Sequence, residues 1–500
     1  MAVCESHDAP GGAAHGWNVK GFEFESGPSL YAGLSPAASP NPLKHVFQVI
    51  GEEPEWITYD RWGTYLPEGS LLHDAVGAED FFKKLATCGG PDACEQWERL
   101  MRRVTPLGEA IFDLPSAAVR SDAGVALTMG RYFPALLKVL VTAGGPEKLN
   151  APFARLLDEE GITDPFIRNW LDMICFLLQG AKVADAPTTL MAYMLSDFYR
   201  PGVALDFPKG GTKSIVNALV RGLTKHDGCH LHLNTHVASV DFDADSGRAV
   251  GVTTADGRSL SATKAVVSNV DLWNTRKLID AASAPKVAAE LEARAARVER
   301  CDSFLHLHVG IDAAGLPRAP TEVFPAQWAS IRDWDLGVDA PRNLVLVSVA
   351  SLLDPSLAPE GCHVIHAYVP ATEPYAPWEG MERNSKEYRE AKEAAAEVLW
   401  EAVEKQIPDV RERAKVTLIG TPLTHERFLR RDGGSYGPFL KATDGMLAGQ
   451  ATPCPNLFCC GDSTFPGIGM PAVAASGLIA ASSIVSVQEH MGFLDKIRIK

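Results

Sequence analysis

The chain has 500 residues, of which 22% are charged and 46% hydrophobic, and its formal net charge is −15. This composition is typical of a globular protein that is long enough for two hydrophobic cores. The acidic balance disfavours a nucleic-acid partner, because such partners usually bind a basic surface. No uninterrupted apolar stretch reaches the roughly 18 residues of a membrane-spanning helix, so none is predicted.

The first half of the chain changes from short strands to helices. The segment "FEFES" at 22–26 alternates apolar and acidic residues, which predicts a strand. From about 60 to 205 the apolar residues recur at helical spacing, most clearly at 131–145 and 168–182. Asp164, directly before a proline, is a good helix start.

The second half predicts strands, one long helix and a return to helix. A glycine turn opens a helix over 208–223, and turn-separated strands follow it. A long helix is predicted from Asn384 to about Gln406, with an apolar stripe formed by Ala395, Leu399, Ala402 and Val403. Three further alternating strands are predicted at 304–312, 343–351 and 362–370. The repeated succession of helices and strands predicts two domains that are threaded through each other.

The most informative stretch is "NLFCCGDSTFPGIGMPAVAASG" at 456–477, which reads as strand, glycine loop and helix. Gly467, Gly469 and Ala472 formally match the dinucleotide fingerprint GxGxxG/A. Only 28 residues follow Ala472, too few for the second strand of a unit that this fingerprint normally opens. Pro471 suits the first position of a helix. Spacing alone therefore favours a buried helix after a tight turn over a ligand site.

Longer motifs give the chain a resemblance. It resembles the carotenoid isomerases, the prolycopene-isomerase branch of the phytoene-desaturase-like FAD proteins, from about Glu5 to Val487. The stretches that carry the resemblance are "ESHDAPGGAAHGW", "GFEFESGPSLYAGL", "YDRWGTYLPEG", "DPFIRNWLDMICFLLQG", "GGTKSIVNALVRGL", "KAVVSNVDLW", "TPLTHERFLRR", "GSYGP" and "CCGDSTFPGIGMPAVAASG".

The resemblance implies an FAD site made from both ends of the chain. In this family an acid, here Glu5, binds the adenosine ribose hydroxyls, and a strand residue, here Val237, reads the adenine edge. Asp462 would accept a hydrogen bond from a ribityl hydroxyl, and the late glycine loop would lie by the isoalloxazine. The implied cofactor-binding residues are Glu5, Gly11, Gly12, Val237, Ser268, Asn269, Gly461, Asp462, Gly467, Ile468, Gly469, Met470, Ala472 and Val473.

The implied fold is α/β, with α+β parts: an incomplete Rossmann-type FAD-binding domain interleaved with a substrate domain of antiparallel sheet and helices. FAD-binding segments are expected at 1–60, 206–290 and 416–500. A helical substrate- or membrane-facing region is expected at 61–205, and a substrate-binding domain at 291–415.

The start of the chain departs from the family pattern. These proteins normally carry a hydrophobic strand and a GxGxxG loop before the acid, whereas this chain begins with "MAVCESH", where the second strand should end. We expect that the natural protein is longer upstream, which could also hide a transit peptide. The alternatives are weak FAD binding and a flavin-free descendant.

The candidates for chemistry lie in "TPLTHERFLRRDGGSYGP", which the family places near the border of substrate and flavin. They are His425, Arg427 and Tyr436, against the alternative of a capped helix with solvated arginines. His306 and His308 should share one face of a strand, whereas His363 and His366 should not. Because hydrogen-bonded strand histidines are far commoner than metal ligands, no metal is predicted.

The function that the resemblance implies is cis-to-trans isomerisation of a carotenoid polyene, with FAD in its reduced form and no net redox change. The lipophilic substrate would arrive from a membrane surface, in a plastid or chloroplast. One alternative is a desaturase, saturase or hydratase that acts on a carotenoid or retinoid. Another is a flavin-free carotenoid-binding or scaffold protein.

Overall fold

The structure, a computed structural model, describes residues 1–27 and 30–499, and residues 73–75 by their backbone alone. Pro28 and Ser29 of the N-terminal motif therefore lie outside the described residues. None of the described helices is both long enough and apolar enough to cross a bilayer.

The strands in chain order are β1 (Ala2–Cys4), β2 (Gly16–Val19), β3 (Phe22–Glu25), β4 (Tyr31–Ala32), β5 (Trp56–Tyr59), β6 (Arg61–Tyr65), β7 (Leu71–Ala75), β8 (Leu205–Pro208), β9 (His230–His232), β10 (Val237–Phe242), β11 (Ala249–Thr254), β12 (Ser259–Ser261), β13 (Val266–Ser268), β14 (Glu299–Arg300), β15 (Ser303–Asp312), β16 (Gln327–Ile331), β17 (Leu344–Ser348), β18 (Cys362–Glu373), β19 (Ala414–Gly420), β20 (Pro438–Phe439) and β21 (Leu457–Cys459).

The α-helices are α1 (Pro42–Ile50), α2 (Ala78–Cys88), α3 (Ala93–Phe112), α4 (Val125–Gly130), α5 (Phe133–Ala143), α6 (Pro146–Leu149), α7 (Phe153–Glu159), α8 (Pro165–Gln179), α9 (Thr188–Phe198), α10 (Lys213–Thr224), α11 (Leu272–Lys277), α12 (Pro285–Ala296), α13 (Lys386–Glu404), α14 (Val410–Arg413), α15 (Pro422–Leu429), α16 (Met470–Ile484) and α17 (Val487–Leu494).

The largest sheet has seven strands in the order β19-β15-β18-β17-β16-β6-β7. Its pairs are antiparallel except for β16 and β6, which run parallel. The three strands predicted at 304–312, 343–351 and 362–370 are confirmed as β15, β17 and β18. One face of the sheet packs against α13, whose predicted stripe residues are all buried.

The helical region forms a second core around α3, α8 and α9. Trp97, Trp170 and Leu195 are each no more than 2% exposed there. The predicted start of α8 is confirmed, because the side chain of Asp164 accepts a hydrogen bond from the backbone N–H of Ile167 at 3.0 Å. This cap satisfies one of the N–H groups that a helix start leaves without an intrahelical partner.

Two short parallel pairs carry the ends of the chain. β1 pairs with β9, and β13 pairs with β21. In the described residues the two pairs belong to separate sheets. The carboxyl ends of parallel strands lie at the same edge of a sheet. The residue that follows β1 and the loop that follows β21 therefore each lie at such an edge.

The loop after β21 leads into α16, as the sequence predicts. Pro471 is the second residue of that helix rather than the first, because the helix begins at Met470. The other predicted elements are confirmed as well: "FEFES" contains β3, the 131–145 segment contains α5, and the 208–223 segment contains most of α10. The division into five segments remains a prediction, although β6 and β7, from the start of the 61–205 segment, join the seven-stranded sheet.

Candidate functional site

The loop from Gly461 to Gly469 is held in a shape that side chains would disturb. Gly461, Gly467 and Gly469 have φ angles of 99°, 125° and 104°, a region that glycine adopts without steric cost. A Cβ atom on Gly461 would lie 2.8 Å from Nδ2 of Asn269. The backbone N–H of Gly461 donates to Oγ of Ser476 at 3.0 Å, so α16 fixes the start of the loop.

Gly469 is the last residue before α16, and Met470, Ala472 and Val473 lie in its first turn. The first N–H groups of a helix have no intrahelical acceptor, and together they carry a partial positive charge. An electron-rich or anionic group is therefore favoured at this end of α16.

Two other segments, α8 and the stretch around Tyr436, meet at this loop. A Cβ atom on Gly469 would lie 3.5 Å from the carbonyl oxygen of Leu178, at the end of α8. A Cβ atom on Gly437 would lie 3.0 Å from Ile468, and one on Gly180 would lie 3.1 Å from the ring of Tyr436. We call Tyr436 and Gly437 the Tyr436 stretch, and Gly461 to Gly469 the late glycine loop. The glycines thus allow α8, the Tyr436 stretch and the late glycine loop to approach each other closely.

Asp462 is fixed by an ion pair. Its Oδ2 atom lies 2.5 Å from Nη2 of Arg431, and the two side chains are 14% and 20% exposed. Arg431 also donates to the backbone oxygens of Ser435 at 2.6 Å and Tyr436 at 2.8 Å. Burial opposes the charge of the guanidinium, but Asp462 outweighs it and raises the pKa of Arg431. Sequence reasoning missed Arg431, since nothing in "RR" distinguishes it from its exposed neighbour Arg430.

The N-terminal residues lie at the ends of other elements. Glu5 directly follows β1, and its Oε1 accepts from the backbone N–H of His7 at 2.7 Å. Oε2 of Glu5 has no hydrogen bond to any residue that the structure describes. Gly11 has a φ of 114°, and a Cβ atom there would lie 2.7 Å from Val216 on α10. A Cβ atom on Gly12 would meet nothing within 4 Å.

The remaining residues predicted to bind a cofactor lie on the middle strands. Val237 is the first residue of β10, and Ser268 is the last residue of β13. The carbonyl oxygen of Ser268 accepts from the backbone N–H of Cys460 at 2.9 Å, which ties β13 to the start of the late loop. Nδ2 of Asn269 donates to Sγ of Cys460 at 3.4 Å.

Of the three candidates for chemistry, two contact the same ring. The ring of Phe304 stacks on His425 at 5.3 Å between centroids and meets Tyr436 edge-on at 5.0 Å. Burial raises the pKa of Tyr436, so its phenol stays protonated near neutral pH. Arg427 is exposed and lies over the ring of Phe428 at 4.9 Å, outside this group.

His425 belongs to an imidazole cluster, which we define as His306, His308, His366 and His425. All four side chains are buried, at 3%, 4%, 7% and 7% exposure. Burial lowers the pKa of each ring, to about 3 for His366 and for His425. As predicted, His306 and His308 share a face, and His363 and His366 point to opposite faces of β18.

Comparison with known proteins identifies the chain. Residues 1–485 match the model of the family described as flavin containing amine oxidoreductase. The chain belongs to this family. It is 29% identical to "Prolycopene isomerase, chloroplastic" of Arabidopsis thaliana over 492 residues, 97% of this chain and 78% of that protein. It is 26% identical to "Phytoene desaturase (lycopene-forming)" of a Paracoccus species over 97% of this chain and 92% of that one.

Solved structures agree on the fold. An oxidoreductase from Methanosarcina mazei superposes with a TM-score of 0.60 over 96% of this chain and 93% of that one, at 16% identity. The predicted α/β oxidoreductase fold is thereby confirmed. The chain is a carotenoid-isomerase-like enzyme of a flavin oxidoreductase family.

A flavin fits the residues present. The glycines of the late loop leave its backbone open to a ligand beside the N-terminus of α16. A Cβ atom on Gly461 would approach Asn269 and narrow this opening. At the other end of the chain, Glu5 has a carboxylate oxygen without a hydrogen bond to the described residues, the type of acceptor that a ribose diol needs. These observations support a flavin cofactor, whereas the role of each residue remains a prediction.

Proposed function

We propose that this enzyme isomerises a poly-cis carotenoid to a more trans form, with FAD as cofactor in its reduced state and no net redox change. The observation that carries the proposal is the meeting of α8, the Tyr436 stretch and the late glycine loop. It occurs in a chain that is similar over nearly its whole length to plant prolycopene isomerases.

The proposed cofactor residues act by position and charge. Asp462, oriented by Arg431, accepts from a ribityl hydroxyl, and Glu5 accepts from the ribose. The first turn of α16 favours negative charge at the edge of the ring that it faces. When bound and reduced, the flavin supplies electron density that lowers the bond order of the polyene.

The substrate side of the site is aromatic and apolar. Phe304 and Tyr436 form a corner against which a flat polyene can stack, and the end of α8 adds the backbone of Leu178. Tyr436 keeps its proton because burial raises its pKa, so it orients the substrate without placing a charge beside it. Arg427 remains a weaker candidate because it is exposed.

The second candidate function is carotenoid desaturation, and the similarity to the Paracoccus desaturase favours it. A saturase or hydratase would share the same site. Product mass separates these reactions, because isomerisation leaves the mass unchanged, desaturation removes two hydrogens, saturation adds two hydrogens and hydration adds water.

The experiment is an assay in darkness without oxygen. The protein is loaded with FAD, reduced with dithionite and mixed with a poly-cis carotenoid in detergent micelles. A product of unchanged mass and altered chromatographic retention supports the isomerase. In a parallel sample that starts from oxidised FAD, a product that has lost two hydrogens, formed in equal amount to flavin reduced, identifies the desaturase. Carotenoid bound without any flavin identifies the flavin-free binding protein.

We further propose that α4 and α5 lie on a membrane surface from which the lipophilic substrate enters. Leu127, Phe133, Leu137 and Val141 are 50–72% exposed, and the last three recur every four residues along one side of α5. A plastid location is part of the proposal, because the similar plant enzymes are named chloroplastic. Partition into lipid vesicles tests the surface, and fractionation of the source cells tests the location.

A further inference from the structure

The imidazole cluster is a product of strand register. His306 and His308 are two residues apart on β15, so both point to the same face. His366 on β18 lies directly opposite His308, and this pairing brings a third ring to that face. On the other side of β15, Gly420 lies opposite His306 and leaves room for the ring. His425 reaches the cluster from α15.

The nitrogen atoms of three of these rings lie close together. One ligand atom from each of His306, His308 and His366 can be chosen so that all lie within 4.8 Å of one another. Nδ1 of His306 is 2.8 Å from Nε2 of His366. On its other side, Nε2 of His306 is 2.6 Å from Nε2 of His425.

One nitrogen atom of the cluster has no hydrogen bond within the described part of the chain. Nδ1 of His308 is buried and has no hydrogen bond to any residue that the structure describes. A buried polar atom without a hydrogen-bond partner costs free energy, about 1–3 kcal/mol, so a ligand at this nitrogen would be favoured. His363 gives the contrast on the same strand as His366. Its Nδ1 pairs with Ser351 at 2.9 Å and its Nε2 with Pro317 at 2.8 Å.

We propose that His306, His308 and His366 bind a divalent transition-metal ion of the Zn²⁺ class, which revises the expectation of a metal-free protein. Neutral imidazole is the form that binds such ions, and burial favours that form. The ion would take the place of the hydrogen between His306 and His366, and the ring that carries that proton would hold it on its other nitrogen, so that both ligands bind as neutral imidazoles. With Zn–N bonds of about 2.0–2.1 Å, tetrahedral ligand atoms lie roughly 3.4 Å apart. Binding therefore requires the nitrogen atoms of His306 and His366 to move apart slightly from their present 2.8 Å, and the ligating nitrogen of His308 to move closer to both.

His425 has a different role in this site. It contacts the second nitrogen of His306 and would orient that ring, as hydrogen-bonded partners of metal-ligating histidines do. Three protein ligands leave the fourth position of a tetrahedral ion open. His425 also stacks on Phe304, so through His425 the site adjoins the proposed substrate region without sharing its cofactor residues.

The test is metal binding by the untagged full chain, which does not depend on isomerase activity or on flavin. The protein is stripped with a chelator and dialysed against Zn²⁺, Fe²⁺ or Co²⁺ in separate samples, and bound metal is measured by elemental analysis. The Co²⁺ sample is also followed by its visible absorption. We expect one ion per chain, and a Co²⁺ spectrum of nitrogen ligands.

Two matched variants locate the ion. His308→Gln removes a proposed ligand whose Nδ1 has no hydrogen bond to the described residues, so folding should survive, as circular dichroism will check. It should weaken binding by more than about a hundredfold, because even outer partners of metal ligands contribute 10–100-fold. His363→Gln changes a histidine on the opposite face and should leave affinity unchanged. The proposal is overturned if the wild-type chain binds no ion, or if His308→Gln binds as tightly as the wild type, or if both variants lose it equally.

Discussion

Asp462 is the residue for which the structure most changes the expected outcome of a mutation. From the family pattern, Asp462→Ala should abolish flavin retention by loss of a ribityl contact. The structure adds a second cause, because the same change leaves Arg431 buried without its partner. Breaking a buried ion pair costs about 3–5 kcal/mol, and exposed pairs are worth about 0–1 kcal/mol. With both side chains more than three-quarters buried, we expect a loss near 3 kcal/mol.

A double-mutant cycle separates the two causes. Asp462→Leu and Arg431→Met are made singly and together, and urea unfolding is followed by tryptophan fluorescence in flavin-free protein. The double variant should recover about 2 kcal/mol relative to the sum of the single variants. If Asp462 contacts the flavin directly, the double variant still loses the cofactor although its stability is restored. Additive losses of stability would refute the ion-pair reasoning, and flavin retained by the double variant would refute the ribityl contact.

Three other properties can be tested in the same way. His366 has a pKa near 3 when folded and 6.5 when unfolded, so the unfolded state binds more protons and stability is lost as pH falls below 6.5. Between pH 7 and pH 5 the contribution of His366 to this loss is about 2 kcal/mol. In chelator-treated buffer, urea unfolding of His366→Gln should therefore show a pH-dependent loss of stability that is smaller by this amount. Gly461→Ala combines a φ of 99° with a Cβ 2.8 Å from Asn269, and should lower stability by about 1–3 kcal/mol and release flavin. Gly247→Ala, where a Cβ meets nothing within 4 Å, is its control for flavin release and should retain the cofactor. Leu137→Glu should weaken sedimentation with phosphatidylcholine vesicles about tenfold, and unchanged sedimentation would contradict the proposed membrane face.

Much of the fold follows from local pattern. The alternation in 304–312 and 362–370 and the cap at Asp164 predict elements that the structure contains, because period and capping are properties of neighbouring residues. The glycine loop at 467–469 is also visible in the sequence. Its ligand is not, since spacing alone favours a buried helix, and only the longer motifs indicate a flavin.

Long-range geometry is what the sequence leaves open. That His366 would lie opposite His308 depends on the register of β15 and β18, which no local pattern fixes. The pairing of Arg431 with Asp462 joins residues 31 positions apart and has no signature in "FLRRDGG". Arg427 shows the converse, because its sequence neighbours suggest a cluster, whereas in the fold it lies on the surface.

Isomerisation of a carotenoid with a flavin and without net redox change can be followed in a single experiment. Flavin absorption and carotenoid products are recorded together through several turnovers of a poly-cis carotenoid under anaerobic conditions. If isomerisation proceeds without net redox change, many molecules of product of unchanged mass form per flavin, while the flavin stays reduced. In a parallel sample that starts from oxidised FAD, product that has lost two hydrogens and forms in equal amount to flavin reduced would contradict it.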